Sequence, residues 1–195
     1  MSPVFYTDIK NPAFMTSSSG VNKNLLHKLN DLFINYDSLS DEHREANLFK
    51  VKFYCLRIDP QDPREIVQAM CPKSKECYSL KDLEADGKGP QGCKTEYRLV
   101  YKLQMLVKDA SSQMNKNFYR IILFSGANDR DEPDHDVSGF FSGVGGPCNL
   151  YKNEEALHTI EKHIRNMLRH NVWIDALIER KGTYFLIKDT QIKIL

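Results

Sequence analysis

The sequence predicts an all-β fold with flanking helices, a five-stranded OB-fold barrel, and three observations carry that prediction. Segments with strand signals follow one another in the order strand, insertion, strand, strand, helix, strand, strand. Each is bounded by proline, glycine or a polar turn. A three-stranded meander, one helix and a closing hairpin is the element order of an OB barrel, whose closure leaves no long unpaired edge.

Residues 1–46 read as an N-terminal extension. Its first twenty residues end in a Ser/Gly run and have no sustained period, and the abrupt opening reads as the C-terminal part of a longer protein. From Asn22 to about Tyr36, Leu25, Leu26, Leu29, Leu32 and Phe33 fall at helical spacing, which predicts one helix packing on the barrel. The barrel itself is expected over 47–195. Its first strand is placed at 48–58, where Phe49, Val51, Phe53 and Cys55 alternate with Lys50, Lys52 and Tyr54. Asp59-Pro60 ends it, because proline cannot donate to the ladder.

A Cys-, Gly- and Lys-rich insertion of about 60–96 comes next. The second strand is expected at 97–108, with Tyr97, Leu99, Tyr101, Leu103, Met105 and Val107 on one face and Arg98, Lys102, Gln104 and Lys108 on the other. A polar turn beginning at Asp109 leads to the third strand at 118–124. Asn153 reads as an N-cap, with Glu154 and Glu155 where the helix dipole favours negative charge, so the helix is placed at 154–169. Strands four and five follow at 172–180 and 183–193, joined by the hairpin signal Arg180-Lys181-Gly182.

Composition narrows the function. With 27 basic and 26 acidic residues the net charge is +1, whereas modules that bind nucleic acid through phosphates carry a strong positive excess. A protein partner is therefore favoured, and any single-stranded DNA binding by this domain alone is expected to be weak. The apolar runs are too short to span a bilayer, so no membrane role is expected. GVGGPCN lacks the Lys-Ser/Thr of a phosphate loop, the histidines show no HExxH spacing, and no Ser or Cys stands in a nucleophile elbow. The acidic run NDRDEPDHD lacks the spacing and glycine of a calcium loop. No enzyme is expected.

Five cysteines, an odd number, suit a reducing compartment better than a disulfide scaffold. Three of them, Cys71, Cys77 and Cys93, fall in the insertion. Thiolates on short loops are how ribbon modules hold tetrahedral zinc, so the insertion reads as zinc-ribbon-like. The fourth ligand is left open: Cys55 is the nearest thiol, and a His or carboxylate would also serve. The alternative is free thiols and no Zn2+ at all. Separately, Phe140 and Phe141 lie between Gly139 and the Gly143–Gly146 stretch, where an aromatic pair suits a protein–protein hot spot.

A strand, CPK…C, GCK, a strand ending in Val-Lys-Asp, an apolar strand and Phe-Phe together resemble the C-terminal OB-fold domain of the protection-of-telomeres family, the telomere end-binding proteins of shelterin. PCNLYKNEEALHTIEKHIRNML is similar to the loop and helix after the barrel's third strand in fungal members. NVWIDALIERKG resembles the Trp-containing fourth strand, and YTDIKNPAF the segment leading into the barrel.

The resemblance implies a barrel that docks the shelterin adaptor protein, which links to telomerase and to the duplex-binding telomere proteins. Other domains of the full-length protein would then grip telomeric single-stranded DNA, in the nucleus at the chromosome telomere. Two departures stand out: one of the paired cysteine motifs of vertebrate members is reduced to Cys93, and the insertion is too short for their resolvase-like part. The competing resemblance is to the zinc-ribbon-bearing DNA-binding barrel of the replication protein A large subunit and its telomerase-associated relatives. That reading makes Tyr54, Tyr101 and Lys102 the candidates for contacting single-stranded DNA.

Overall fold

The computed structural model describes residues 26–41, 44, 47–86, 97–113, 117–125, 144, 146–169 and 172–190. In chain order these form β1 (Leu26–His27), α1 (Leu29–Phe33), β2 (Leu48–Asp59), β3 (Val67–Met70), β4 (Cys77–Ser79), α2 (Leu80–Asp86), β5 (Arg98–Lys108), β6 (Tyr119–Phe124), α3 (Glu154–Met167), β7 (Ile174–Lys181) and β8 (Tyr184–Thr190).

Five of the strands close on themselves. β2 runs antiparallel to both β5 and β7, β6 antiparallel to β5, and β8 antiparallel to β7. The ring is completed by parallel pairing of β6 with β8, Ile121 opposite Phe185. With α3 between the third and fourth barrel strands, this is the expected OB topology. The expected bounds of the five strands and the helix agree to within two residues, with 191–193 outside the described residues.

Alternation fills the interior. Phe49, Val51 and Phe53 of β2, Leu103, Met105 and Val107 of β5, Ile121 and Leu123 of β6, Ile174, Ala176 and Ile178 of β7, and Phe185 and Ile187 of β8 are all no more than 2% exposed. Each of these side chains except Ala176 stabilises the fold by roughly 1.5–3 kcal/mol relative to leaving it in water. α3 adds Ala156, Ile160 and Met167 to this core, and its N-terminus is held by Asn153, whose Oδ1 accepts the Ala156 N–H at 3.0 Å. Just before it, Leu150 is buried, and Asn149 Oδ1 accepts the Tyr151 N–H at 3.0 Å to make the turn.

The insertion continues the sheet. Where β2 ends, β3 takes over as the partner of β5, pairing Val67–Met70 with Arg98–Tyr101, and β4 pairs with β3. Glu65 ties this hairpin to the barrel: Oε2 accepts from Ser79 Oγ at 2.7 Å, and Oε1 accepts from the Tyr151 hydroxyl. Burial, followed by the hydrogen bond to this carboxylate, pushes the Tyr151 phenol well above its ordinary range.

The N-terminal extension departs from expectation. Of the predicted helix from Asn22 to Tyr36, the described residues begin at Leu26; among them Leu29–Phe33 is α-helical, while Leu26–His27 pairs as a parallel strand with Lys50 and Val51 of β2. The reason is tertiary. Asp109, 4% exposed at the end of β5, accepts the Leu29 N–H on Oδ2 at 2.7 Å and the Ser111 hydroxyl on Oδ1 at 2.7 Å. A carboxylate from another element thus caps α1 and sets where the helix starts. Leu29 and Leu32 are buried as the spacing requires, Phe33 packs on Tyr119 and Phe185, and Leu26 is left 49% exposed.

Asp109→Ala should remove this cap and leave a buried helical N–H without its acceptor. A loss of about 1–3 kcal/mol is expected, lowering the melting temperature by roughly 2–12 °C for a chain of this size, with Asp109→Asn falling in between. Thermal denaturation of the two variants checks this, and an unchanged midpoint for Asp109→Ala contradicts it.

Candidate binding groove

Side chains on the outer pleats of the barrel form a groove. Lys102 of β5, Ile122 and Phe124 of β6, and Leu186 of β8 make its floor. One wall is the β3–β4 hairpin, with Met70, Lys75, Glu76, Cys77 and Tyr78; the other is the β7–β8 turn, with Lys181 and Tyr184. The volume is about 740 Å³, the size of a ligand site. This is the surface of strands two and three between the first and last barrel loops, where OB folds bind oligonucleotides and oligosaccharides.

Both walls are built for a reason legible in the residues. Gly182 has φ +61°, a left-handed conformation glycine adopts at no steric cost, so β7 and β8 can join through Gly182-Thr183 alone. That sharp turn holds Tyr184 at the lip, 46% exposed, and Lys181 paired with Glu179 at 2.9 Å. On the opposite wall the Tyr78 hydroxyl donates to Glu76 Oε2 at 2.6 Å. Apart from Lys102 the floor is apolar, and the rim carries lysines and tyrosines. Such a surface suits an extended segment with apolar side chains.

The cysteine set expected to hold zinc is divided. Cys71 is buried after β3 and disulfide-bonded, Cys77 is a half-buried free thiol on β4, and Cys93 lies outside the described residues. Cys55 is a free thiol in the barrel core. It sits opposite Val107, whereas Met70, beside Cys71, sits opposite Arg98. Nine positions of β5, about 30 Å of strand, separate the two, so Cys55 is not a fourth ligand.

Burial pushes the Cys55 thiol up to about 12 and also raises that of Cys77, against the influence of Lys102. Among the described residues, no group of three or more His, Cys, Asp and Glu could hold a metal ion. The described donors do not fit structural zinc, which takes four ligands.

The residues of the DNA-contact reading also separate. Lys102 is exposed in the groove. Tyr101 is 1% exposed and points into the core, its hydroxyl donating to Gly146 O at 3.2 Å, so it cannot meet a ligand on that face. Tyr54 is half-buried, edge-on to Trp173 with ring centroids 5.1 Å apart. Phe140 and Phe141 fall outside the described residues. Sequence reasoning missed Tyr184, Tyr78 and Ile122. The hairpin signal at Gly182 marks where Tyr184 must lie, whereas nothing local announces that the insertion folds back as a wall.

No protein-family model matches the chain. Telomere-binding protein subunit alpha of Stylonychia mytilus is 35% identical over 166 residues, covering 85% of this chain and 30% of that protein. The subunit of the same name from Sterkiella nova is 34% identical over 164 residues, 84% of this chain and 29% of its own length. This chain is a relative of the telomere-binding proteins.

The Euplotes crassus telomere-binding protein homolog is 35% identical over 94 residues, 48% of this chain and 18% of that protein. The kinship read from the sequence motifs stands, and the chain spans about 30% of the length of the alpha subunits it matches. A crystal structure of fission yeast Pot1 and Tpz1 aligns with 87% of this chain and 92% of its own at 11% identity and a TM-score of 0.49, too distant to assign a site. Among the described residues, no helix is long and apolar enough to cross a membrane.

Because Cys71 is held in a disulfide and Cys55 lies far along β5, melting with and without a zinc chelator should coincide, and elemental analysis should give well under one zinc per chain. One tightly held zinc per chain whose removal lowers the midpoint contradicts this.

Proposed function

We propose that this chain is the partner-docking barrel of a telomere end-protection protein, acting in the nucleus at the chromosome telomere by binding and not by catalysis. The groove between the β3–β4 hairpin and the β7–β8 turn carries this reading, because Ile122, Phe124 and Leu186 of its floor offer apolar anchoring within a concave site. The kinship adds support, since the matched relatives are by name subunits of a telomere-binding protein. The occupant is an extended apolar segment of the adaptor subunit, the shelterin adaptor in the terms of the resembled family. Near-neutral charge favours a protein over nucleic acid as the tight-binding partner. From the sequence alone, Phe140 and Phe141 are kept as proposed partner-binding residues.

The reading is tested by titrating the full chain with the adaptor subunit of the same organism. Ile122→Glu combined with Tyr184→Ala should weaken binding by about tenfold or more while moving the melting temperature little, because both side chains lie on the outer surface. Phe140→Ala/Phe141→Ala should do the same. Unchanged affinity in a folded Ile122/Tyr184 variant contradicts the groove as the docking site. Unfolding of the Phe140/Phe141 variant assigns that pair to the core.

A further inference from the structure

One covalent bond in the insertion is out of keeping with its setting. Cys71 is disulfide-bonded, whereas Cys55, Cys77 and Cys148 are free thiols. The chain has five cysteines, so the partner of Cys71 is the fifth, Cys93. A single bridge beside three reduced thiols is not the dense framework of a secreted domain. The nucleus, the compartment of the proposed function, keeps thiols reduced, and a disulfide formed there acts as a transient or sensing one.

Cys71 stands where the chain leaves the sheet. It follows Met70, the last residue of β3, which pairs with Arg98 of β5 on one side and Cys77 of β4 on the other. The Cys71 N–H donates to Glu76 O, and its carbonyl accepts the Lys75 N–H, both at 2.9 Å, which closes the hairpin tip. In sequence, Cys71 and Cys93 bracket that tip, β4 and α2. The bond therefore pins the segment that supplies Lys75, Glu76, Cys77 and Tyr78 to one wall of the groove.

Among the described residues β4 ends the strand order, so without the bridge it keeps its ladder to β3 and the Glu65 bond to Ser79. Cys77 is no substitute partner. It lines the groove opposite Met70, and Cys71, next along the ladder, faces the other side of the hairpin. With Cys71 only 2% exposed, a thiolate reaches its sulfur when the tip opens, which ties the chemistry to the position of the wall.

We propose that Cys71 and Cys93 form a reversible redox site served by glutathione, and that its state sets the groove wall, held when the disulfide is formed and loosened when it is reduced. The step is thiol–disulfide exchange. A glutathione thiolate attacks one sulfur and releases the other cysteine as a thiolate, which takes up a proton; a second glutathione then displaces the first. The products are two cysteine thiols and one glutathione disulfide, and the reverse reaction restores the bridge. The effect on docking rests on the groove being the adaptor site, whereas the exchange itself does not.

The full chain is equilibrated without oxygen in mixtures of reduced and oxidised glutathione, quenched with acid and alkylated in denaturant. Three thiols, those of Cys55, Cys77 and Cys148, should react at the oxidising end and all five at the reducing end, with Cys71 and Cys93 changing together. On reduction, hydrogen exchange across residues 67–79 should speed up by about fivefold or more while residues 174–190 stay as they were. Affinity for the adaptor subunit should fall by about fivefold or more in the reduced chain. Cys77→Ser should titrate like the unmodified chain. Cys71→Ser/Cys93→Ser should exchange like the reduced chain at every ratio, and the reduced unmodified chain makes the same comparison should that variant fail to fold.

A disulfide that stays formed in the most reducing mixture is a structural staple and overturns the proposal. So do five reactive thiols at the oxidising end, a transition lost in Cys77→Ser, and wall exchange or adaptor affinity that is the same in both states. An adaptor that binds neither state contradicts the docking reading instead, and the thiol count and wall exchange still decide the redox site.

Discussion

One strand has to serve two neighbours for this barrel to exist. The first half of β2, Leu48–Phe53, pairs with β7, and its second half, Tyr54–Asp59, pairs with β5. A β-bulge between Cys55 and Arg57 lies within the half that pairs with β5, and bulges bend a strand and increase its twist. The Cys55 thiol donates to Arg57 O at 3.4 Å, a weak bond across the bulge itself. Cys55 is therefore a small buried group at the corner of the barrel. The extra residue also resets the alternation: Ile58 turns into the core and Arg57 turns out towards Arg120. A local irregularity thus decides both closure and what the outer face can contact.

Everything distinctive about the groove comes from what hangs on that closed ring. Left alone, β5 would present an unpaired edge beyond the end of β2, and β3 covers it. The hairpin stands as a wall because Glu65 bonds at once to Ser79 of the hairpin and to Tyr151 ahead of α3. On the far side of the fold, Asp109 does comparable work by fixing α1 against the end of β5. Two carboxylates therefore attach the two non-barrel parts of the chain, and each is satisfied by more than one donor, which is what makes burying Asp109 fully and Glu65 partly tolerable.

The barrel was legible because its strands obey period two and its helix carries a cap, both local signals. What escaped was set at long range. The stripe from Leu25 to Phe33 is helical in spacing, yet a carboxylate about 80 residues away starts the helix at Leu29. The bulge left a trace, since apolar residues at 55, 56 and 58 with Arg57 between them break the alternation. Tyr101 and Lys102 could have been separated without a structure, because adjacent strand residues face opposite sides and the Tyr101 side is the core. Grouping three insertion cysteines with Cys55 relied on proximity in sequence, which strand register does not respect.

Docking in the groove makes a spatial statement about which backbone becomes shielded when the adaptor subunit binds. Hydrogen exchange of the full chain, free and saturated with that subunit, measures it directly. The account predicts new protection concentrated at residues 70–78 of the hairpin and 181–186 of the β7–β8 turn, with the exposed side of α3 unchanged. Protection that falls on α3 while both walls exchange as in the free chain would contradict it.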